Sequence, residues 1–179
     1  AAEAFVESFT PNDVSKLVDG QAHYSTILNE RGTIEDDCLI YKSPDHLLMV
    51  VNASNRAKDL DHITAHAERF DVTIEDISDE IALLALQGPL AEAVLRTLTG
   101  ADLASVKYYH FTRGTVAGVP DVLISRTGYT GEDGFELYFD AASAETVWKA
   151  LTAHADVSPA ALGARDSLRL EMGMALYGN

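Results

Sequence analysis

The chain of 179 residues carries 28 Asp+Glu against 13 Lys+Arg, a formal charge of −15, and 47% of its residues are hydrophobic. That apolar content is spread along the whole length, which specifies a folded globular chain and not an acidic disordered tail. The charge excludes non-specific nucleic-acid binding, which needs a basic stripe, and docking on an anionic membrane surface.

Ala1 to Phe9 reads as a short helix or the end of one, and Pro11-Asn12-Asp13 as a turn and helix start. From Gln21 the hydrophobic period changes to two. Residues 24–29, the turn Glu30-Arg31-Gly32 and residues 33–41 predict a β-hairpin. The run 47–52 is apolar enough to be a central third strand. Ala57, Leu60, Ile63, Ala67 and Phe70 recur at helical spacing and predict an amphipathic helix over 55–70. A short strand at 72–75 is expected to close a first unit, residues 1–77.

A polar connection at 76–80 leads into a second unit, residues 78–179. It reads as strand 81–86, turn 87–89, helix 90–98, strands 113–118, 121–126 and 135–139, then helices 143–154 and 162–176. The expected fold class is α+β, antiparallel sheets with covering helices. The longest apolar runs fall far short of the ~20 residues of a membrane span. Residues 1–9 hold two acids and no base, unlike a secretory signal, and the single Cys38 fits a reducing cytoplasm. The uncapped start and the end directly after a helix lead us to expect a chain cut at both ends. Acids scattered singly, with little Lys, fit a surface adapted to high salt, where charge repulsion is screened.

Three segments could carry chemistry. In Glu35-Asp36-Asp37, alternation sends Asp36 to one face of its strand and Asp37 to the other, with Leu39 and Tyr41. In the hairpin register, Tyr24 lies across from that second face. A carboxylate flanked by two phenols could position a nitrogen group; a solvated acidic strand beside a turn is the plainer alternative. The loop from Arg126 to Glu136 has glycines at 128, 131 and 134. It lacks the Gly-Lys-Ser/Thr ending of a phosphate cradle, and its Glu-Asp pair would repel phosphate. Tyr129 and Glu136 would suit a flat, nitrogen-rich heterocycle, although such loops also serve as tight connections.

In the last helix Arg165 and Arg169 stand four apart, and Glu171 is not spaced to pair with either. Arg165 could clamp a carboxylate, or belong to an intrahelical ion-pair network. His62 and His66 also stand four apart but lack a third ligand, so they read as a solvated polar face and no metal is expected. Cys38 reads as a small core residue, and Tyr108-Tyr109 with Phe111 as an aromatic cluster that is core by default.

Several runs in this order resemble the aminomethyltransferase family, the T-protein of the glycine cleavage system. They include Ile34-Glu35-Asp36-Asp37-Cys38-Leu39-Ile40-Tyr41, Val50-Val51-Asn52-Ala53-Ser54-Asn55 and Leu86-Gln87-Gly88-Pro89. The most specific are Thr127-Gly128-Tyr129-Thr130-Gly131-Glu132-Asp133-Gly134 and Ala164-Arg165-Asp166-Ser167-Leu168-Arg169-Leu170-Glu171.

The resemblance implies release of ammonia from an aminomethyl group on a lipoyl arm, borne by an H-protein carrier. The one-carbon unit passes to tetrahydrofolate, giving 5,10-methylenetetrahydrofolate. It implies that Asp37 is the acid near folate N10 and that Glu136 accepts hydrogen bonds from the pterin ring. Tyr24, Tyr41, Asn52, Tyr109 and Tyr129 match positions lining the folate pocket, and Arg165 an arginine of the site. The first unit would be a ferredoxin-like module and the second most of a split α/β domain. The family is longer, so the chain is expected to be a fragment lacking an N-terminal segment and a C-terminal domain. Relatives sharing the scaffold supply the alternatives: a folate-dependent demethylase, the folate domain of a dimethylglycine or sarcosine oxidase, or a non-catalytic folate-binding iron–sulfur assembly factor. The last is expected to carry a Lys-Gly-Cys-Tyr-type motif, which is absent from this sequence.

Overall fold

Two antiparallel sheets, each with its own core, organise the computed structural model, which describes residues 1–178. The chain divides into one unit spanning Ala1–Asp76 and a second beginning at Ile77. No helix among the described residues is long and apolar enough to cross a membrane.

In the first unit α1 (Ala2–Glu7) and a 3-10 turn at Val14–Lys16 precede the hairpin β1 (Gln21–Leu28) and β2 (Ile34–Lys42). Gly32, at φ +72°, supplies the left-handed residue its turn requires. β3 (Leu47–Val51) then pairs with β2, giving the order β1-β2-β3. The expectation of a central β3 is corrected: β2 is central, and β3 is an edge strand, intermediate in burial throughout. The short turn after Lys42 returns the chain beside β2, and among the described residues this sheet has three strands. Residues 72–75 are not a strand; Val72 and Ile74 instead pack their side chains on the core.

Along β2, Asp36, Cys38 and Ile40 face inward, where Phe5, Phe9, Val14, Ile27 and Ile63 form the core. α2 (Arg56–Ala67) buries Ile63 and also, fully, Asp59, whereas Ala57 is exposed. The buried stripe of α2 is therefore rotated from the one that apolar spacing predicts. A carboxyl group occupies its centre.

The second unit contains β4 (Ile81–Gln87), α3 (Ala91–Leu95), β5 (Phe111–Val116), β6 (Val119–Ser125), β7 (Gly134–Asp140), α4 (Ala144–Thr152) and α5 (Leu162–Glu171). Its sheet order is β4-β7-β6-β5, all antiparallel. Leu86, Leu95, Val122, Ile124, Phe135, Leu137, Val147 and Leu151 form its core. α3 and α5 are shorter than expected. In α5 the apolar pattern continues past Glu171, but Gly173 takes φ +67°, a left-handed value that stops the helix.

Candidate active site

In the first unit, the pleat of β2 divides three neighbouring carboxylates between its faces. Asp36 is 0% exposed on the core side, while Asp37 is half-buried on the other. The β1–β2 register pairs Tyr24 with Leu39, placing Tyr24 on the face of Asp37, and its hydroxyl donates to Asp37 Oδ2 at 3.1 Å.

The β2–β3 ladder ends at Cys38↔Val51, so Asn52 emerges where both faces can be reached. Its amide nitrogen donates to Asp37 Oδ1 at 2.7 Å and to Asp36 Oδ1 at 2.8 Å. Asn55 donates to Asp36 Oδ2 at 2.8 Å, and the Asp37 backbone N–H to Asp36 Oδ1 at 2.8 Å. Asp37 is thus oriented by an amide and a phenol, with Asp36 as the anchor behind them. Burial opposes charge on Asp36, but the hydrogen bonds from Asp59, Asn52, Asn55 and the backbone outweigh it and hold the carboxyl below its ordinary range. Tyr41 shares the face of Asp37 and is fully buried there.

In the second unit, Tyr129, Glu136 and Arg165 come together. The Arg165 guanidinium lies 4.5 Å from the Tyr129 ring centroid, a cation–π contact. The Tyr129 hydroxyl donates to the carbonyl of Ala175. Glu136 accepts from the Thr127 hydroxyl at 2.5 Å, and that hydroxyl lies 2.9 Å from Ser125 Oγ. Burial raises the Glu136 carboxyl above its usual range, partly offset by the Thr127 hydrogen bond and the charge of Arg165. Tyr109 stands at φ +58°, its backbone N–H donating to the carbonyl of Arg126 at the start of the glycine loop. A non-glycine residue in that region is uncommon and carries some strain.

The glycine loop is a packing device. Gln87 donates to the carbonyl of Thr127 at 3.0 Å and accepts from Thr130 Oγ1 at 3.3 Å. A Cβ at Gly128 would lie 1.9 Å from Gln87 Oε1, and one at Gly134 would lie 2.5 Å from Gln87 Cδ. Two of the motifs read from sequence thus interlock through one side chain. Arg126 anchors the same loop. It forks onto Asp133 at 2.8 and 2.6 Å, reaches Glu92 at 2.5 Å, and donates to the carbonyls of Leu103 and Val106. These partners lower the Asp133 and Glu92 carboxyls and raise Arg126, chiefly through its hydrogen bonds with them.

Sequence reading missed Asp59, Gln87 and the clamp of Arg126. Asp59 was findable, since it stands four residues before Ile63 on the helix face that is buried. His62 and His66 are half-buried, not solvated. Their rings stack at 4.5 Å and pack beside Phe9. Cys38 is a core residue, its thiol pushed up to about 12 by burial and by the neighbouring aspartates. Arg169 Nε lies 3.7 Å from an Asp166 carboxyl oxygen on the same helix.

The whole chain, residues 1–179, matches the family described as GCVT N-terminal domain. The chain belongs to that family. It is 50% identical to the aminomethyltransferases of Chloroherpeton thalassium and of Thermotoga maritima, over 99% of its own length and 50% of theirs. Among solved structures it resembles the glycine cleavage system aminomethyltransferase T of Bartonella henselae, at TM-score 0.86 and 35% identity, covering 99% of this chain and 47% of that one. A heterotetrameric sarcosine oxidase from Corynebacterium sp. U-96 matches at TM-score 0.56 and 20% identity, over 80% of this chain and 69% of that one, a likeness of fold alone. The chain spans about half the length of the curated relatives it matches.

Proposed function

We propose that the chain works as a tetrahydrofolate-dependent aminomethyltransferase of glycine cleavage. The single observation that carries this is the 50% identity to named aminomethyltransferases across 99% of the chain. The family resemblance assigns roles that the side chains suit. In the proposed reaction the methylene carbon forms bonds to N5 and N10 of tetrahydrofolate while its bonds to nitrogen and sulfur break. The two folate protons leave on ammonia and on the lipoyl thiol, so no oxidant is needed.

Asp37 is the residue we assign to chemistry. Its two oxygens are already fixed by Asn52 and Tyr24, so it can orient N10 and stabilise the positive charge that grows there during attack. Glu136, half-buried and held by Thr127, is the acceptor we assign to pterin N–H groups. Arg165 over Tyr129 supplies a cation beside an aromatic wall, suited to an anionic or carbonyl group of folate or of the lipoyl arm. Tyr24, Tyr41, Asn52 and Tyr109 complete the proposed folate residues. Asn52 and Tyr24 act by holding Asp37.

The partner is then an H-protein carrying the lipoyl arm, and the setting a cytoplasm, with high external salt accounting for the charge of −15. The test is ammonia release from aminomethylated lipoyl carrier. The chain is expected to release ammonia only when tetrahydrofolate is present. Ammonia release that ignores tetrahydrofolate would refute the reading.

A further inference from the structure

Asp59 has no part in the family resemblance and none in the mechanism above. It projects from α2 into the inward face of β2, 0% exposed, and neither carboxyl oxygen receives a hydrogen bond from a donor among the described residues. A buried carboxylate without donors costs several kcal/mol, so such a group neutralises itself or finds a partner. Asp36, equally 0% exposed on the inward face of β2, is the carboxyl that acts on Asp59 most strongly. Asp36 is already filled with donors: Asn52, Asn55 and a backbone N–H all point at it, as they would at an anion. The nearest cation to Asp59 is Lys58, whose Nζ stands 3.8 Å from Oδ1 and donates to the carbonyl of Glu35.

We propose that Asp59 is a neutral carboxylic acid that donates its proton to ionised Asp36, and that this pair is the positioning device for Asp37. Of two like carboxyls that share one buried site, one ionises readily and the other gives up its proton only at a raised pH. Assigning the proton to Asp59 removes the buried, donorless charge: the Asp59 O–H has an acceptor, and Asp36 keeps its amide and backbone donors. Asp36 then holds Asn52, and Asn52 holds Asp37 by the same amide nitrogen. The buried side of β2 thereby sets the rotamer of the carboxylate on its open side.

The charged and titratable groups facing Asp59 are Asp36, Asp37 and Cys38 from β2 and Lys58 from its own helix. Burial, the hydrogen bond with Asp36 and the charges of Asp36 and Asp37 push Asp59 up, to about 7; Lys58 opposes them. The Cys38 thiol, at about 12, stays neutral throughout.

The test is a carboxyl 13C NMR titration of the chain labelled at aspartate, from acid to alkaline pH, with no ligand present. One aspartate resonance is expected to titrate near neutral pH, to vanish in Asp59→Asn and to move to lower pH in Asp36→Asn. The Asp37 resonance, assigned by its loss in Asp37→Asn, is expected to shift in the same step. If every aspartate titrates in the ordinary carboxylate range, the shared proton does not exist.

A second arm rests on the tetrahydrofolate reading. Tetrahydrofolate affinity of the wild type is expected to fall about tenfold through that step, as for coupled contacting groups, and the fall is expected to be lost in Asp59→Asn. Affinity that stays constant through an observed carboxyl step overturns the positioning role. No tetrahydrofolate binding at any pH refutes the folate reading instead, and the NMR titration still decides the pair.

Discussion

The two units hold their carboxylates in different ways. In the second, Glu92 and Asp133 are neutralised by the Arg126 guanidinium, which also satisfies two backbone carbonyls. In the first, Asp36 and Asp59 meet amides and each other, with only Lys58 nearby. A guanidinium keeps its charge at all working pH values, so the clamp of the second unit is permanent. The first cluster depends on a proton. The difference separates holding a loop from setting the state of a reactive carboxylate.

Removing the guanidinium breaks the comparison most severely. Arg126→Ala leaves Glu92 and Asp133 without their shared cation and takes a donor from the carbonyls of Leu103 and Val106, of which Leu103 keeps the Val106 backbone N–H. We expect a loss of about 2–4 kcal/mol in the denaturant stability of the second unit, discounted for the exposure of Asp133. A loss below about 1 kcal/mol would show the clamp to be a surface ion pair.

Gly134→Ala comes next. Its Cβ would meet Gln87 Cδ at 2.5 Å, and Gln87 is held on Thr127 and Thr130, so it cannot swing aside freely. The expected cost is about 1–3 kcal/mol, read as a lower Tm. The double variant Gln87→Ala, Gly134→Ala is expected to recover part of it.

The pH profiles of stability give a finer contrast, with opposite signs. Asp59 is raised, to about 7, so its contribution is full below its unfolded value and is lost as pH rises through about 7. Glu92 and Asp133 are lowered, so their contributions are present above their unfolded values and are lost as pH falls through the folded ones. Asp36 sides with the second pair, being lowered too. Asp59→Asn is therefore expected to flatten the fall in Tm near pH 7 and to leave the acid limb in place. The exposed Glu145–Lys149 pair on α4 is the small end of the series. Lys149→Ala is expected to leave Tm unchanged within a degree or so.

Much of this fold is legible from residues whose own preferences agree with their neighbours'. The hairpin follows from alternation and Gly32, and the α+β class from the change of period at 55–70. What escaped was decided by tertiary contact. Leu47–Val51 reads as a central strand because it is apolar, yet the short return beside β2 leaves it at an edge. Val72 and Ile74 have strand-forming side chains, but nothing beside them completes a ladder. Ala57 looks inward by spacing and faces solvent because α2 turns Asp59 inward.

The candidate site divides the same way. Alternation alone places Asp37 and Tyr24 on one face, and their hydrogen bond follows. That Asn52 ties Asp37 to Asp36 depends on where the β2–β3 ladder stops, which spacing does not encode. The acidic excess that dominates the composition says little about this chemistry. Three aspartates of the 28 acids form the network around Asp37, and they are set apart by their partners.

The most direct measurement is the ammonia-release rate of Asp37→Asn, taken together with its tetrahydrofolate affinity. The substitution keeps size and removes charge, so the rate is expected to fall at least about 100-fold and affinity no more than about tenfold. An Asp37→Asn protein that releases ammonia at the wild-type rate would contradict the role given to this carboxylate.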